Sequence, residues 1–356
     1  MKKGHLIITI LVIVISLFLA ISLIVYKNNI AAVSKNNEKV EFEVMENQTF
    51  STLGNSLYKS NLIKSELFYK IYIKLNNPGD IQKGTYILNK NMDLEEIIKS
   101  LSKGSNFNPN LVNITFKEGL NIREIAQIIS ENTNNKYEDI INKINDKEYI
   151  KTLITKYWFL EDIILDSRIY YPLEGYLFPE TYQIDKTFKI EKILETLLNH
   201  TNKILSSHKE EIQNSKYSVH QIITLASIIE LEAGNSNDRK GVAGVFYNRL
   251  EGNWSLGSDV TTYYGSKIDD FKYSLTFNEL NDCTNSYNTR CKSLIGLPVG
   301  PISNPGKESI EASIAPTKHD NYYFVADCNG KTYMNKNANG HNATINKLKA
   351  EGNWCV

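Results

Sequence analysis

The chain has 356 residues, room for two or three modules with cores of their own. Lys+Arg and Asp+Glu balance at 40 each, so no net field draws the molecule toward nucleic acid or an acidic surface. Four cysteines without a CxxC pair and six histidines without ligand-like spacing exclude the common zinc sites.

Residues 6–26 run 21 positions without a charge, enough at about 1.5 Å per residue to cross the ~30 Å apolar core of a bilayer. Lys2 and Lys3 before it favour a cytoplasmic N-terminus at 1–5, although Lys27 dilutes the bias. A cleaved signal peptide is the alternative, but its apolar region is usually shorter (about 7–15 residues) and no small-x-small site closes this one directly. The reading is a retained single-pass anchor, followed by a polar tether at 27–39.

From residue 40, VEFEV has the period of a strand, TLGNSLYKSNLI and SELFYKIYIKL that of helices, GTYIL is a strand, and MDLEEIIKSLSKG is a helix stopping at Gly104. The opening recurs about seventy residues later, where VNITFKEG and IREIAQII repeat the strand, turn and helix. Such repeated β-α modules look like LysM-type glycan-binding units, giving a LysM-like region over 40–168, with a first unit at 40–104 and a second with connector at 110–168. The alternative is two unrelated β-α turns in one α+β domain. Residues 170–184, YYPLEGYLFPETYQI, hold two prolines, a glycine and two acids, Glu174 and Glu180, among aromatics. That composition suits an ordered loop lining a groove, or a long packed connector.

Ser218 with Gln221 marks a helix start and Gly234 its stop; Ile222, Leu225, Ala226, Ile229 and Ala233 set one apolar stripe. Glu230 and Glu232 fall on opposite shoulders of that stripe, about 200° apart, so only one can face a given cleft. A carboxyl there is either a solvated rim charge or a partly desolvated acid that keeps its proton near neutrality. A second amphipathic helix carries Val242, Ala243, Phe246 and Leu250; beyond Leu256 come loops, short strands, a helix from Lys307 to Ala315, a buried-looking strand NYYFVAD, and a turn with His341 and Asn342. The 21 tyrosines suit sugar stacking but equally an AT-rich coding bias. Cys283 with Cys291 is the most local pairing and Cys328 with Cys355 its complement, although connectivity does not follow from sequence.

No GxSxG, HExxH, P-loop or dinucleotide glycine signature is present, and Ser227 has no histidine on its face. Glycosidic cleavage needs less: one protonated carboxyl beside the bridging oxygen in a partly dry pocket. LASIIELEAG, DRKGVAGVFYNRL, LGSDVTTYYG, SYNT, GLPVGPISNPG, the Ala315, Pro316 pair, YYFVAD and LEGYLFPETY together resemble the YceG-like (MltG) family of endolytic murein transglycosylases. The resemblance runs over nearly the whole chain. It implies an α+β architecture: a transmembrane helix at 6–26, LysM-like repeats, and an extracytoplasmic catalytic domain at 169–356 built on a glutamate-bearing helix. It further implies cleavage between N-acetylmuramic acid and N-acetylglucosamine within nascent peptidoglycan strands, leaving 1,6-anhydromuramoyl ends. No cofactor is implied; the partners would be glycan strands, the membrane and cell-wall synthases.

Carried over by position, Glu230 would be the acid and then base, with Glu232 supporting it. Ser258, Asp259 and Thr261 would form a cleft wall, Tyr287, Asn288 and Thr289 would contact the glycan, and Gly296, Pro298, Gly300, Pro301 and Asn304–Gly306 would shape the groove floor. Two departures stand out: Asp259-Val260-Thr261 where the family usually reads Asp-Pro-Thr, and Arg290-Cys291 where an aromatic commonly follows. Two rivals remain open, a non-catalytic glycan-binding scaffold and a water-using muramidase with Asp259 as second carboxylate.

Overall fold

The computed structural model describes residues 2–46, 48–104 and 108–355. It is a mixed α+β chain in two compact units, one up to Leu111 and one from Val112 on.

In the first unit, helix α1 (Lys2–Ile30) contains a stretch, Ile8–Ile30, long and apolar enough to cross a membrane. The helix continues past Tyr26 into the expected tether. Tyr26 and Ile30 pack on the unit's core and Lys64 Nζ donates to the Asn28 carbonyl, so this stretch is tied down rather than free. Strand β1 (Lys39–Val44) pairs antiparallel with β2 (Gly84–Asn89), Phe42 opposite Tyr86. The period-two pattern places Phe42 and Val44 inward and their glutamate neighbours outward. Between the strands, α2 (Phe50–Lys59) and α3 (Glu66–Asn76) close a β-α-α-β unit over Leu53, Leu57, Tyr69 and Leu88; α4 (Leu94–Ser102) adds Ile97 and Leu101. The buried Tyr69 hydroxyl donates to the Phe50 carbonyl at 2.6 Å, which satisfies the one polar atom that ring brings inside.

The second copy of this opening takes a different course. After β3 (Leu111–Thr115) and α5 (Ile122–Asn132) come α6 (Tyr137–Ile144) and α7 (Lys147–Lys156), but β3 pairs with β4 (Thr181–Asp185), from the proline- and tyrosine-rich segment. Ile114, Phe116, Ile125, Ile140 and Phe159 share one core with Leu173, Tyr176 and Leu177, with Leu194 and Leu198 of α8 (Ile190–Ser206), and with Ile222 and Ile223 of α10 (Val219–Glu232). The expected boundary at 168/169 therefore falls inside a continuous core. The segment 170–184 behaves as the packed connector: prolines and a glycine keep it from coiling, and its aromatics are worth too much buried area to leave in water.

The rest is α9 (Lys209–Gln213), α11 (Arg239–Glu251), α12 (Asp259–Gly265), α13 (Phe277–Leu280), α14 (Lys307–Ile314), β5 (Tyr323–Ala326), β6 (Thr332–Asn335) and α15 (Ala338–Ala350). SDVTTYYG is thus helical, and His341 and Asn342 lie inside α15 instead of in a turn. β5 is only half-buried: it pairs antiparallel with β6 alone, and Val325 is its one buried residue. Both cystines form, Cys283–Cys291 and Cys328–Cys355.

Helix α10 is more deeply set than a single stripe predicts. Every residue from Val219 to Ile229 except Gln221 of the capping box is buried, the pattern of a helix enclosed on all sides beyond its first turn. Its start is the expected Ser218–Gln221 capping box. Along its length the loop 299–306 braces it. His220 Nε2 lies 3.0 Å from the Val299 carbonyl, Ser227 Oγ accepts from the Ile302 amide at 3.0 Å, and Ser303 Oγ donates to the Ser227 carbonyl at 3.1 Å. Gly175, at φ 86°, lets the connector approach this pair of elements, since a Cβ there would sit 2.6 Å from Pro301 and 2.8 Å from Ile223.

Candidate active site

Glu230 and Glu232, at the last turn of α10, meet different surroundings. Glu230 is enclosed, its side chain 5% exposed. Oε1 accepts from Arg239 Nη2 at 2.7 Å and Oε2 from the Gly306 amide at 2.9 Å, so both oxygens are engaged by donors. Arg239 opens α11, and its guanidinium also reaches Glu308 at 2.9 Å and Glu118 at 3.5 Å. A Cβ at Gly306 would lie 1.8 Å from Glu118 Oε1, so a larger residue there displaces the Glu118 carboxylate. Burial, with the charge of Glu230 beside it, lifts Glu118 above the ordinary carboxylate range.

Glu232 instead lines a cavity of about 310 Å³ together with Arg249, Ser258, Asp259, Arg290, Phe324, His341 and Trp354. Ser258 Oγ donates to Glu232 Oε1 at 2.6 Å. Desolvation raises this carboxyl against the pull of Ser258 and the more distant Arg249. Arg249 is fixed by its Nε bond to the Tyr322 carbonyl at 2.8 Å and by a second bond to the Leu256 carbonyl. His341 is held below its ordinary value by burial and then by Arg249, so the wall carries a neutral imidazole. Asp259 is half exposed and paired with Arg290. A second cavity, about 240 Å³, is lined by Glu118, Leu231, Val260, Tyr264 and Asp269. Glu230 borders neither.

The other expected site residues divide sharply by exposure. Tyr287, Asn288, Thr289 and Thr261 are fully buried and have no surface for a glycan. Their bonds show their work. Tyr287 Oη accepts from the Tyr170 amide, and Asn288 Nδ2 donates to the carbonyls of Glu279, Leu280 and Asp282. Thr289 Oγ1 accepts from the Ser258 amide at 3.0 Å and lies 2.9 Å from Thr261 Oγ1. Thr289 thus positions the serine that holds Glu232. Gly296, at φ 105°, bridges to Ser255, Pro298 is buried, and Gly300 and Pro301 are buried in the brace along α10. Asn304 is also enclosed: its Oδ1 accepts from the Leu177 amide at 2.8 Å and its Nδ2 donates to Glu174 and to the Leu120 carbonyl. Of the expected set, Glu232, Ser258 and Asp259 share the cavity.

Arg249, Arg290, His341 and Trp354 were not singled out as binding residues from sequence; single polar or aromatic residues in helices and loops carry no spacing signal. In the sequence Glu174 stands out only as an acid among tyrosines. It is buried and accepts from the Ile122 amide at 3.1 Å, Asn304 Nδ2 at 3.0 Å and Tyr264 Oη at 2.9 Å. Burial pushes it up to about 8 from an ordinary 4.5, the hydrogen bonds pulling the other way.

The YceG-like family model matches residues 42–347. An endolytic murein transglycosylase of Bacillus subtilis (strain 168) is 34% identical over 318 residues, 88% of this chain and 86% of that protein. One of Streptococcus pneumoniae (strain D39) is 32% identical over 330 residues, 89% of this chain and 60% of the longer relative. The crystal structure of a yceG-like protein from Listeria monocytogenes superposes with a TM-score of 0.61 at 32% identity, covering 87% of this chain and all of that one.

Two outcomes follow for the buried acids. Glu230→Gln breaks an enclosed ion pair but leaves Arg239 two other carboxylates, so denaturant unfolding should show a loss of about 2 kcal/mol, below that of orphaning a lone buried partner; unchanged stability contradicts the pairing. Glu174 binds its proton more tightly folded than unfolded, so its contribution is complete below pH 4.5 and lost as pH rises toward about 8. Melting temperature should fall across that window, and Glu174→Gln should flatten the fall; an identical slope in the variant contradicts the assignment.

Proposed function

The chain belongs to the YceG-like family, and from that membership together with the cavity at Glu232 we propose that it is an endolytic murein transglycosylase working by a single glutamate. Its substrate is the glycan strand of peptidoglycan, cut within the strand between N-acetylmuramic acid and N-acetylglucosamine. The assignment of the acid to Glu232, in place of Glu230, rests on one observation: Glu232 lines a cavity with its carboxyl raised by desolvation, whereas both oxygens of Glu230 are taken by Arg239 and Gly306.

In this mechanism Glu232 gives its proton to the bridging oxygen as the C1–O bond breaks through an oxocarbenium-like state. The resulting carboxylate takes the proton of the muramoyl C6 hydroxyl while that oxygen bonds to C1. The bond count balances without water, and Glu232 ends protonated. Ser258 fixes the carboxyl's orientation, Thr289 fixes Ser258, and Arg249 supplies positive charge toward the carboxylate form. Glu230 acts indirectly, by anchoring the last turn of α10.

The anchor reading is supported by the apolar stretch of α1, by Lys2 and Lys3 ahead of that stretch, and by two cystines, which persist outside the cytoplasm. The second unit is thereby extracytoplasmic, and the β-α-α-β first unit is a LysM-like glycan-binding module. Asp259 in the same cavity gives the water-using muramidase its one support, although its pairing with Arg290 occupies it.

Digestion of purified peptidoglycan should yield anhydromuramoyl ends by mass spectrometry. Glu232→Gln should lower turnover by roughly 10²–10⁴-fold while leaving the melting temperature nearly unchanged. Reducing ends in the wild-type digest, or retained turnover in the variant, would overturn the mechanism.

A further inference from the structure

Trp354 sits outside every element and outside the 42–347 family match, yet it lines the same cavity as Glu232. It lies in a short segment without regular structure after α15, and such segments ordinarily have little to hold them. This one is held at every step. The Asn353 amide donates to the Leu348 carbonyl at 2.9 Å, Asn353 Nδ2 donates to Asp327 Oδ2 at 3.1 Å, and the Cys328 amide donates to the Asn353 carbonyl at 3.2 Å. Cys355, the next residue, is bonded to Cys328 just after β5. Lys349 Nζ lies 5.5 Å from the Trp354 ring centre. A half-buried indole pinned by its neighbours on both sides and lining a polar cavity offers apolar surface to whatever enters there.

The rest of the cavity narrows what that is. Glu232, Arg249, Asp259 and Arg290 make its lining polar and charged, with Phe324 and Val325 beside them. A ligand that suits it offers hydroxyls to the charged groups and an apolar face to the indole. The axial C–H face of a pyranose ring does both, since aromatic rings pack against apolar faces while their polar edges stay wet.

We propose that Trp354 is a sugar-binding residue, the platform on which one pyranose of the glycan stacks beside the bond whose oxygen Glu232 protonates, and that the Cys328–Cys355 cystine is what keeps it in the cavity. This rests on the reading of Glu232 given above. The cystine closes a loop of sequence separation 27, so it removes much of the freedom the segment would otherwise have.

The test uses the full-length chain in detergent micelles with uncrosslinked peptidoglycan strands as substrate. Trp354→Ala should raise KM on the order of tenfold, with kcat within about twofold, while Trp354→Phe restores most of the loss. Cys328→Ser with Cys355→Ser, which leaves the ring intact but frees it, should raise KM by a smaller factor. In a Glu232→Gln background, chitotetraose binding measured by calorimetry should weaken by a similar factor on adding Trp354→Ala. Unaltered KM and unaltered chitotetraose affinity would overturn the proposal, as would a fall in kcat accompanied by a lower melting temperature, which marks a structural role. If Glu232→Gln still turns over substrate, the catalytic reading fails, and the chitotetraose measurement decides Trp354 on its own.

Discussion

The ion pair between Glu230 and Arg239 sets the geometry on which the site depends. One carboxylate takes the first residue of α11 with one oxygen and the amide of Gly306, at the start of α14, with the other. That fixes three elements around the last turn of α10. With this turn locked, the residue two positions on points about 200° away, and Glu232 has no choice but to face the cavity. The enclosed acid is expensive to desolvate and is retained because its arginine and amide compensate it. Its neighbour has only a serine hydroxyl, and so keeps the raised proton affinity that proton donation to a sugar oxygen needs.

Around that turn the molecule spends most of its recognisable sequence on bracing. The loop 299–306 runs beside α10 and bonds to it near its start, middle and end, and Asn304 carries the brace across to the connector at Leu177 and Glu174. Thr289 holds Ser258, and Ser258 holds Glu232. A chain of buried hydrogen bonds of this kind has few alternative arrangements, because each broken link leaves an unpaired polar atom away from water. Surface residues such as Asp259 and Arg290 complete the cavity without that constraint.

Local order was legible wherever one face of an element is buried. Phe42 and Val44 alternate as a strand must, and Ser218 with Gln221 gives the start of α10 correctly. Tertiary choices were not. The two β-α openings read alike because a strand followed by a capped helix is a local pattern; which strand pairs with β3 depends on residues nearly seventy positions away. The depth of α10 is not legible in the sequence, since isoleucine and serine on its outer faces look the same whether the next layer is solvent or the 299–306 loop. The division of labour between Glu230 and Glu232 was legible to the extent that they must point apart. Which one is tied down depends on Arg239 and Gly306, and neither Arg239 nor the bond from Gly306 declares itself by spacing. Motif residues that suggest substrate contact, Tyr287, Asn288 and Asn304, turn out to be enclosed, a reminder that a distinctive turn can be distinctive because it is buried.

The claim that the proton on Glu232 does the chemistry is tested most directly by the pH dependence of kcat/KM, whose basic limb reports the essential acid of the free enzyme. Ser258 pulls that acid down by donating to its carboxylate, so removing the hydroxyl in Ser258→Ala should move the basic limb to higher pH. A limb that stays where it was in the wild type would mean that another group supplies the proton.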